Sequence, residues 1–295
     1  MIKKQEGGRI ADLLHQAVEK FEKIGIEEAR IDAELLLSFC LKKSRTELYL
    51  AAKERLTTIQ AHQFSELVNR RIRREPVAYI TGEREFWSYT FDVTPDVLIP
   101  RPETEILVDM VMTRRNHDFP TGKCLDLCCG SGILAIVLVL ELDLNVVAVD
   151  ISAKALDVCK QNCIKHGVEK KVALVQADLG SCFLKSRPFY LITVNPPYVL
   201  RAEMDRNLQP EVVNYEPHLA LDGGQDGLEK INNICLHLPS LLAPGGDFFM
   251  EIGADQASRV KALLQSAADN QWYQVIDVFK DYAGRDRVIH VRRKK

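Results

Sequence analysis

The sequence of 295 residues predicts an α/β fold in which a small all-helical domain precedes a mostly parallel sheet. One observation is that apolar residues recur at helical spacing from Arg9 to about Arg74, with no strand signal. Another is that short apolar, strand-like runs then alternate with helical stretches. Such alternation produces βαβ units that are joined by right-handed crossovers. We therefore expect a Rossmann-like, seven-stranded sheet that ends in an antiparallel hairpin.

Three segments follow one another along the chain. Residues 1–76 are the predicted helical domain, which ends where a proline stops the last helical stripe. Residues 77–98 are a predicted β-hairpin linker, with Glu85–Trp87 and Thr90–Val93 as its strands. Residues 99–295 are the predicted sheet domain.

The sheet domain has seven predicted strands, of which the last two form the terminal hairpin. They are Cys124–Leu127, Val146–Val149, Val172–Gln176, Tyr190–Val194, Asp247–Ile252, Tyr273–Phe279 and Arg287–Val291. Helices are predicted from Ile133, from Ala153, near Leu228–Leu238 and around Ala257–Ala268.

Charge limits the classes of function. Lysine and arginine number 39 and aspartate and glutamate 41, which gives a net charge of −2. A chain with this balance is poorly suited to coat nucleic acid. Local basic groups occur at Arg70, Arg71, Arg73, Arg74 and residues 292–295, and we interpret them as a solvated helix face and a terminus.

The eight cysteines show no pair of C-x-x-C units, so no metal site is predicted. We interpret them as small buried side chains in a reducing compartment. The first six residues, Met1–Glu6, lack the apolar core of a secretion signal, and no later segment is long and apolar enough to span a bilayer. We therefore expect a soluble, cytoplasmic protein.

The motif Asn195-Pro196-Pro197-Tyr198 follows a predicted buried strand. Its prolines have a fixed φ and no N–H, so their carbonyl groups are held rigidly. The asparagine adds an amide oxygen and the tyrosine a flat ring. A planar NH₂ group suits this cluster because it offers two donors to two fixed oxygens. A simple proline turn after a strand is the alternative interpretation.

A glycine-containing loop runs from Asp126 to Gly132 and connects the first strand of the sheet to a helix. Asp150 and Asp178 end the next two strands. Carboxylates there can accept hydrogen bonds from ribose hydroxyls and an adenine amine, and the loop lacks a pyrophosphate-binding fingerprint. Together these features favour S-adenosylmethionine over NAD. Each aspartate alone is more typical of a helix N-cap or a strand-end turn.

The motifs resemble those of class I S-adenosylmethionine-dependent methyltransferases, and more narrowly those of the release-factor glutamine N5-methyltransferases of the HemK family. The resemblance covers nearly the whole chain, and the fold it implies is a methyltransferase sheet. Besides the loop and the NPPY motif, its carriers are Tyr79-Ile80-Thr81-Gly82, Glu85-Phe86-Trp87, Ile99-Pro100-Arg101-Pro102-Glu103-Thr104-Glu105, Tyr215-Glu216-Pro217, Ala220-Leu221, Gly223-Gly224-Gln225-Asp226-Gly227-Leu228 and Ala283-Gly284-Arg285-Asp286-Arg287.

The resemblance implies methyl transfer from S-adenosyl-L-methionine to the side-chain amide nitrogen of a glutamine in the Gly-Gly-Gln loop of peptide-chain release factors. The product of the cofactor is S-adenosyl-L-homocysteine. The implied catalytic and substrate-binding residues are Asn195, Pro196, Pro197 and Tyr198. The implied cofactor-binding residues are Asp126, Cys128, Cys129, Gly130, Ser131, Gly132, Asp150, Ile151, Asp178, Leu179 and Asn195. We expect a monomer that binds a protein loop and no nucleic acid.

An amide nitrogen is a poor nucleophile, so the site is expected to work mainly by positioning. The Asn195 side-chain oxygen and the Pro196 carbonyl would each accept one N–H of the glutamine amide. Tyr198 would form a wall that holds the flat amide. Arg101 and Glu103 would lie near the amino-acid end of the cofactor, brace the loop or form a structural ion pair.

The cofactor loop departs from the family at one place. Cys128-Cys129 replaces the usual Gly-Thr, and a cysteine restricts the backbone more than glycine does. If both thiols are exposed, we expect thiol reagents to block the cofactor site.

Two other functions stay open. One is a DNA or RNA exocyclic-amine methyltransferase, in which a flipped base would enter the same slot. It would need a basic groove, which the near-neutral charge disfavours. The other is a non-catalytic module that keeps the cofactor fold, which the intact loop and the complete NPPY motif disfavour.

Overall fold

The computed structural model describes residues 6–115, 123–183, 188–204, 206, 208–267 and 272–295. The chain divides into two compact units. The first comprises Met1–Glu83 and Gln209–Tyr215, and the second comprises Arg84–Leu208 and Glu216–Lys295. The residues 1–5 and Ala268 that enter the predictions above lie outside the described ranges.

The first unit is mainly helical and has its own apolar core. Its elements in chain order are β1 (Glu6–Arg9), α1 (Ile10–Lys23), α2 (Ala29–Leu41), α3 (Arg45–Leu50), β2 (Arg55–Thr57), α4 (Thr58–Ile72) and α5 (Val77–Thr81). Phe21, Leu36 and Phe64 are among the side chains buried at its centre. Thr57 caps α4, because its hydroxyl accepts the Gln60 N–H in a capping box.

The antiparallel pair of β1 and β2 was not predicted. The expectation of an uninterrupted helical pattern is therefore wrong at Arg55–Thr57. Strands of three and four residues are too short to show a period-two alternation of apolar residues.

The remaining elements follow along the chain. They are β3 (Glu83–Phe86), β4 (Tyr89–Asp92), α6 (Glu105–Arg115), β5 (Lys123–Leu127), α7 (Ile133–Leu142), β6 (Asn145–Asp150), α8 (Ala153–Lys165), β7 (Val172–Gln176), β8 (Phe189–Val194), α9 (Pro210–Tyr215), α10 (Glu229–Leu241), β9 (Leu242–Glu251), α11 (Ala257–Ala267), β10 (Tyr273–Lys280) and β11 (Asp286–Arg293). Of these, α9 belongs to the first unit.

The hairpin of β3 and β4 is present, with bounds within two residues of the prediction. Its turn residues Trp87 and Ser88 have φ angles of +52° and +62°. Positive φ at both central positions is the geometry that matches the twist of a two-residue hairpin.

The sheet of the second unit confirms the predicted fold class. Its seven strands lie in the order β10-β11-β9-β8-β5-β6-β7. The strands from β9 to β7 in that order are parallel, and β11 pairs antiparallel with both β9 and β10. Helices α6, α7 and α8 contribute to the apolar core on one face, while α10 and α11 contribute to the core on the other. Burial on both faces explains why these strands read as continuous apolar runs.

Candidate active site

A cavity opens among the loops that follow β5, β6, β7 and β8. The strand order reverses between β5 and β8, and open α/β sheets bind ligands at such points. Ten of the residues predicted for the site line this cavity. They are Cys128, Cys129, Gly130, Ser131, Asp150, Ile151, Asp178, Leu179, Asn195 and Pro197.

The loop after β5 has left-handed backbone at three positions. The φ angles are +57° at Cys128, +52° at Gly130 and +85° at Gly132. Glycine adopts this conformation at little cost, whereas a cysteine does not. At Gly132 an added Cβ would lie 2.4 Å from Cys159 Sγ. Gly132 lies outside the cavity lining, and its role is to let α7 start against α8.

Asp150 fixes the loop and also faces the cavity. Its Oδ2 accepts the Gly130 N–H at 2.9 Å, and its Oδ1 accepts the Ser152 N–H at 2.9 Å. A carboxylate has about four acceptor sites, so both oxygens can accept further bonds from a ligand. The neighbouring Ile151 is 45% exposed and lines the same cavity. A polar acceptor and an apolar surface thus stand side by side.

The position of Asp126 corrects the sequence prediction. This residue is fully buried and is not part of the cavity lining. Its Oδ1 accepts the Thr193 hydroxyl at 2.9 Å, and its Oδ2 accepts the Ala135 N–H at 3.2 Å. Burial raises the pKa of Asp126 to about 7. The carboxyl group therefore connects the first turn of α7 to β8 by hydrogen bonds, and it stabilises the loop without lining the cavity.

The Asn195–Tyr198 segment is held by neighbours on several sides. Asn195 Nδ2 donates to Thr104 Oγ1 at 3.1 Å, and Gln256 Nε2 donates to the Tyr198 carbonyl at 3.0 Å. An added Cβ at Gly223 would lie 2.8 Å from the Tyr198 Cα. The motif therefore has a fixed backbone path beside the cavity.

Tyr198 is not among the described residues that line the cavity. The structure therefore does not show the tyrosine ring as the expected wall beside the substrate amide. The Tyr198 hydroxyl instead donates to Glu251 Oε1 at 3.0 Å, and its ring packs against the core beneath α10 and α11. Burial raises the pKa of Tyr198. Pro196 likewise lies outside the lining residues.

The Ile99–Glu105 motif is fastened to the buried carboxylate of Glu216. Arg101 Nη2 donates to Glu216 Oε1 at 2.6 Å, and the Ile99 N–H donates to Glu216 Oε2 at 3.2 Å. Burial raises the pKa of Glu216. Because Arg101 also lines the cavity, the ion pair fixes the motif at the cavity rim.

Sequence profiles of two families match the chain. The PrmC N-terminal domain matches residues 12–82, and the Methyltransferase small domain matches residues 102–252. A release factor glutamine methyltransferase from Chlorobaculum tepidum is 39% identical, over 94% of this chain and 95% of its own length. The chain belongs to the release factor glutamine methyltransferase family. This finding confirms the resemblance that was inferred from the motifs and makes the chain a member of an enzyme family.

Other relatives agree with this assignment. A release factor glutamine methyltransferase from Thermodesulfovibrio yellowstonii is 38% identical, over 96% of this chain and 98% of its own length. A bifunctional methyltransferase from Rickettsia typhi is 35% identical over 96% of this chain, which spans 57% of that longer protein. The structure of the Thermus thermophilus 16S rRNA N2 G1207 methyltransferase has a TM-score of 0.51 at 18% identity. It covers 72% of this chain and 50% of its own, and it supports the fold alone.

Some residues that line the cavity of this family member were not predicted. They include Asp96, Leu98, Thr104, Leu219 and Lys230. Thr104 lies in the Ile99–Glu105 motif, and Lys230 lies two residues after the Gly223–Leu228 motif. The sequence therefore indicated that these two positions are near the site. Their side-chain types alone gave no indication of a ligand.

The interpretation of the arginine group as a solvated helix face is wrong for Arg71. This side chain is 6% exposed and donates to Asp32 Oδ2 and to Glu211 Oε1, each at 2.7 Å. Arg74 pairs with the same Glu211 at 2.9 Å. Carboxylates of α2 and α9 neutralise these arginines within the first unit, so they do not form a free basic patch.

Within the described ranges, no group of three or more His, Cys, Asp or Glu side chains is arranged to hold a metal ion. None of the described helices combines the length and apolar character needed to cross a membrane.

Proposed function

We propose that the chain transfers a methyl group from S-adenosylmethionine to the side-chain amide nitrogen of the glutamine in the Gly-Gly-Gln loop of peptide-chain release factors. One observation carries this proposal, namely that the predicted substrate-binding and cofactor-binding residues lie side by side. The NPPY residues Asn195 and Pro197 line the same cavity as the glycine loop, Asp150 and Asp178. A site for a planar amide thus adjoins acceptors suited to a nucleoside.

The residues of the cavity fit S-adenosylmethionine. Asp150 offers carboxylate oxygens for the ribose hydroxyls, and Ile151 offers an exposed apolar side chain for the adenine. Asp178 offers an acceptor for the adenine amine. When bound, this cofactor supplies an electrophilic methyl group, whose bond to sulfur breaks as the bond to nitrogen forms.

The chain contributes orientation and charge stabilisation. Asn195 Oδ1 and the carbonyl of Pro196, which stands between the lining residues Asn195 and Pro197, each accept one N–H of the glutamine amide, which fixes the nitrogen. The same two acceptors stabilise the positive charge that grows on nitrogen during attack. The extra proton leaves to water after transfer, and none of the described lining residues is a histidine that could act as a base.

The choice of a release factor as substrate is supported by the family and by the full-length relatives named above. We therefore expect the enzyme to work in the cytoplasm, where release factors act. The alternative of a DNA or RNA base receives no support from Arg70 and Arg71, since both pair with carboxylates.

The test supplies methyl-labelled S-adenosylmethionine with a purified release factor, its Gln→Ala loop variant, DNA or RNA. We expect label only on the intact release factor, at the loop glutamine. Label on DNA or RNA, or equal label on the Gln→Ala variant, would overturn the proposal. The Asn195→Ala enzyme provides the inactive control.

A further inference from the structure

We propose that Thr104 and Glu251 are positioning residues that fix the orientation of the Asn195 side-chain amide. This inference deepens the proposed function and rests on it. It starts from a buried chain of hydrogen bonds that begins at Asn195 and ends at Tyr198.

The chain of hydrogen bonds is short and enclosed. Thr104 Oγ1 donates to Glu251 Oε2 at 2.7 Å, and the Tyr198 hydroxyl donates to Glu251 Oε1 at 3.0 Å. Asn195 Nδ2 donates to Thr104 Oγ1 at 3.1 Å. Thr104 is 0% exposed and Glu251 is 1% exposed, so water does not compete for these groups.

The number of protons determines the direction of each bond. A hydroxyl has one proton, and an ionised carboxylate has none. Thr104 and Tyr198 must therefore both donate to Glu251, and Thr104 Oγ1 can only accept from its other neighbour. That neighbour is Asn195, which must present its NH₂ group to Thr104.

Two hydroxyl donors and one nearby positive charge act on the buried carboxyl group of Glu251. Burial raises its pKa, whereas the hydroxyl groups of Thr104 and Tyr198 and the positive charge of Arg287 counter part of this rise by stabilising the ionised form. The Arg287 side chain also pairs with Asp281 at 3.2 Å, so it is fixed in place. The carboxylate thus anchors the hydrogen bonds from Thr104 and Tyr198.

The consequence concerns Asn195 Oδ1. With its NH₂ group committed to Thr104, the amide turns its oxygen away from Thr104, and no described residue donates to that oxygen in the hydrogen bonds of the structure. Asn195 lines the cavity, so the oxygen is available there for an incoming N–H. A flipped asparagine would present N–H groups to the N–H groups of the substrate and would repel them.

The test compares Thr104→Val, Thr104→Ser and Glu251→Gln with wild type in methyl transfer to a release factor. Thr104→Val removes the acceptor, and we expect kcat to fall about 100-fold, as for loss of one oriented group at a reacting centre. Glu251→Gln is isosteric but can donate to Thr104 and so permit the flip, and we expect a fall of about 30-fold. Thr104→Ser keeps the hydroxyl, and kcat should stay within about threefold of wild type.

The matched control is Thr113→Val on α6. Its hydroxyl donates to the Asp109 carbonyl of its own helix and is exposed. Thr113→Val should leave kcat unchanged, and the cofactor dissociation constant should change by less than about threefold in every variant. Equal kcat in Thr104→Val and Thr113→Val, or kcat near wild type in Glu251→Gln, would overturn the positioning role.

A second readout separates this inference from the proposed function. The side-chain N–H resonances of Asn195 are measured by ¹H–¹⁵N NMR in the cofactor-bound enzyme without substrate. They should shift in Thr104→Val and Glu251→Gln but not in Thr113→Val. Unchanged resonances would refute the positioning role of Thr104 and Glu251 even if methyl transfer is observed. Shifted resonances in an enzyme that leaves release factors unlabelled would support that positioning role and would refute the release factor as substrate.

Discussion

Two glycines of the cofactor loop give a sharp test of how the loop is packed. Gly130 and Gly132 both have positive φ, at +52° and +85°. Alanine in the left-handed region costs about 1–2 kcal/mol, and part of this is offset because alanine restricts the unfolded chain by about 0.4–1 kcal/mol. The backbone term should therefore be similar, about 1 kcal/mol, at both positions.

The two sites differ in the space around an added Cβ. At Gly130 no heavy atom of the described chain lies within 4 Å, whereas at Gly132 Cys159 Sγ lies at 2.4 Å. Ordinary contacts begin at 3.4 Å, so Gly132→Ala must displace buried Cys159 or α7. Overpacking of this kind costs about 1–3 kcal/mol. Because about 1 kcal/mol shifts Tm by about 2–4 °C in a domain of this size, Gly132→Ala should melt about 2–12 °C below Gly130→Ala.

The assay is thermal unfolding of the ligand-free variants, followed by circular dichroism. Cys159→Ala removes the sulfur and supplies a double-mutant cycle with Gly132→Ala. We expect the added Cβ to cost less in the Cys159→Ala background. Equal Tm values for Gly130→Ala and Gly132→Ala, or additive effects of Gly132→Ala and Cys159→Ala, would refute the steric reasoning.

Three further predictions concern buried charge and thiols. Arg71→Met should destabilise the first unit by about 3–5 kcal/mol, because it leaves buried Asp32 without its cation and Glu211 with Arg74 alone; denaturant unfolding measures the loss, with exposed Arg73→Met as control. Asp126 has a pKa raised to about 7, so its contribution to stability is largest below the unfolded pKa and is lost as pH rises through 7. The Tm of Asp126→Asn relative to wild type should therefore rise from about pH 4 to about pH 7 and level off at higher pH. Exposed Cys182 should react first with a thiol reagent, whereas the raised pKa of half-buried Cys128 keeps the reactive thiolate scarce in the loop.

Each of these predictions has a result that contradicts it. Equal unfolding of Arg71→Met and Arg73→Met would show that the ion pairs contribute little. A Tm difference for Asp126→Asn that is constant with pH would show that this carboxyl group does not titrate in the range. Rapid inactivation that persists in Cys182→Ser would mean that the loop thiols are reactive after all.

Most of the fold could be predicted because its strands are buried on both faces. β7 has the predicted bounds, β5 and β8 begin one residue earlier than predicted, and β6 is one residue longer at each end. β9 begins five residues earlier than predicted, at Leu242, because Gly245 and Gly246 interrupt the apolar pattern that marks a strand. β1 and β2 were too short to produce a pattern.

The site was predictable where strand ends bring residues together. Asp150 ends one parallel strand, and Asp178 and Asn195 follow two others, so the topology alone places them at one edge. Asp126 also stands near a strand end, but its side chain points into the core, which no strand-end pattern reveals. The link between Thr104 and Glu251 spans 147 positions and depends on tertiary packing, so the sequence could not indicate it.

The most direct test of the central claim compares Asn195→Ala with Asp150→Asn in single-turnover methyl transfer to a release factor, with cofactor affinity measured in parallel. If Asn195 positions the substrate amide, Asn195→Ala should slow transfer at saturating cofactor about 100-fold or more and change cofactor affinity less than about threefold. Asp150→Asn should show the opposite pattern, with weaker cofactor binding and a smaller effect on the saturated rate. A near-wild-type rate in correctly folded Asn195→Ala would contradict the account.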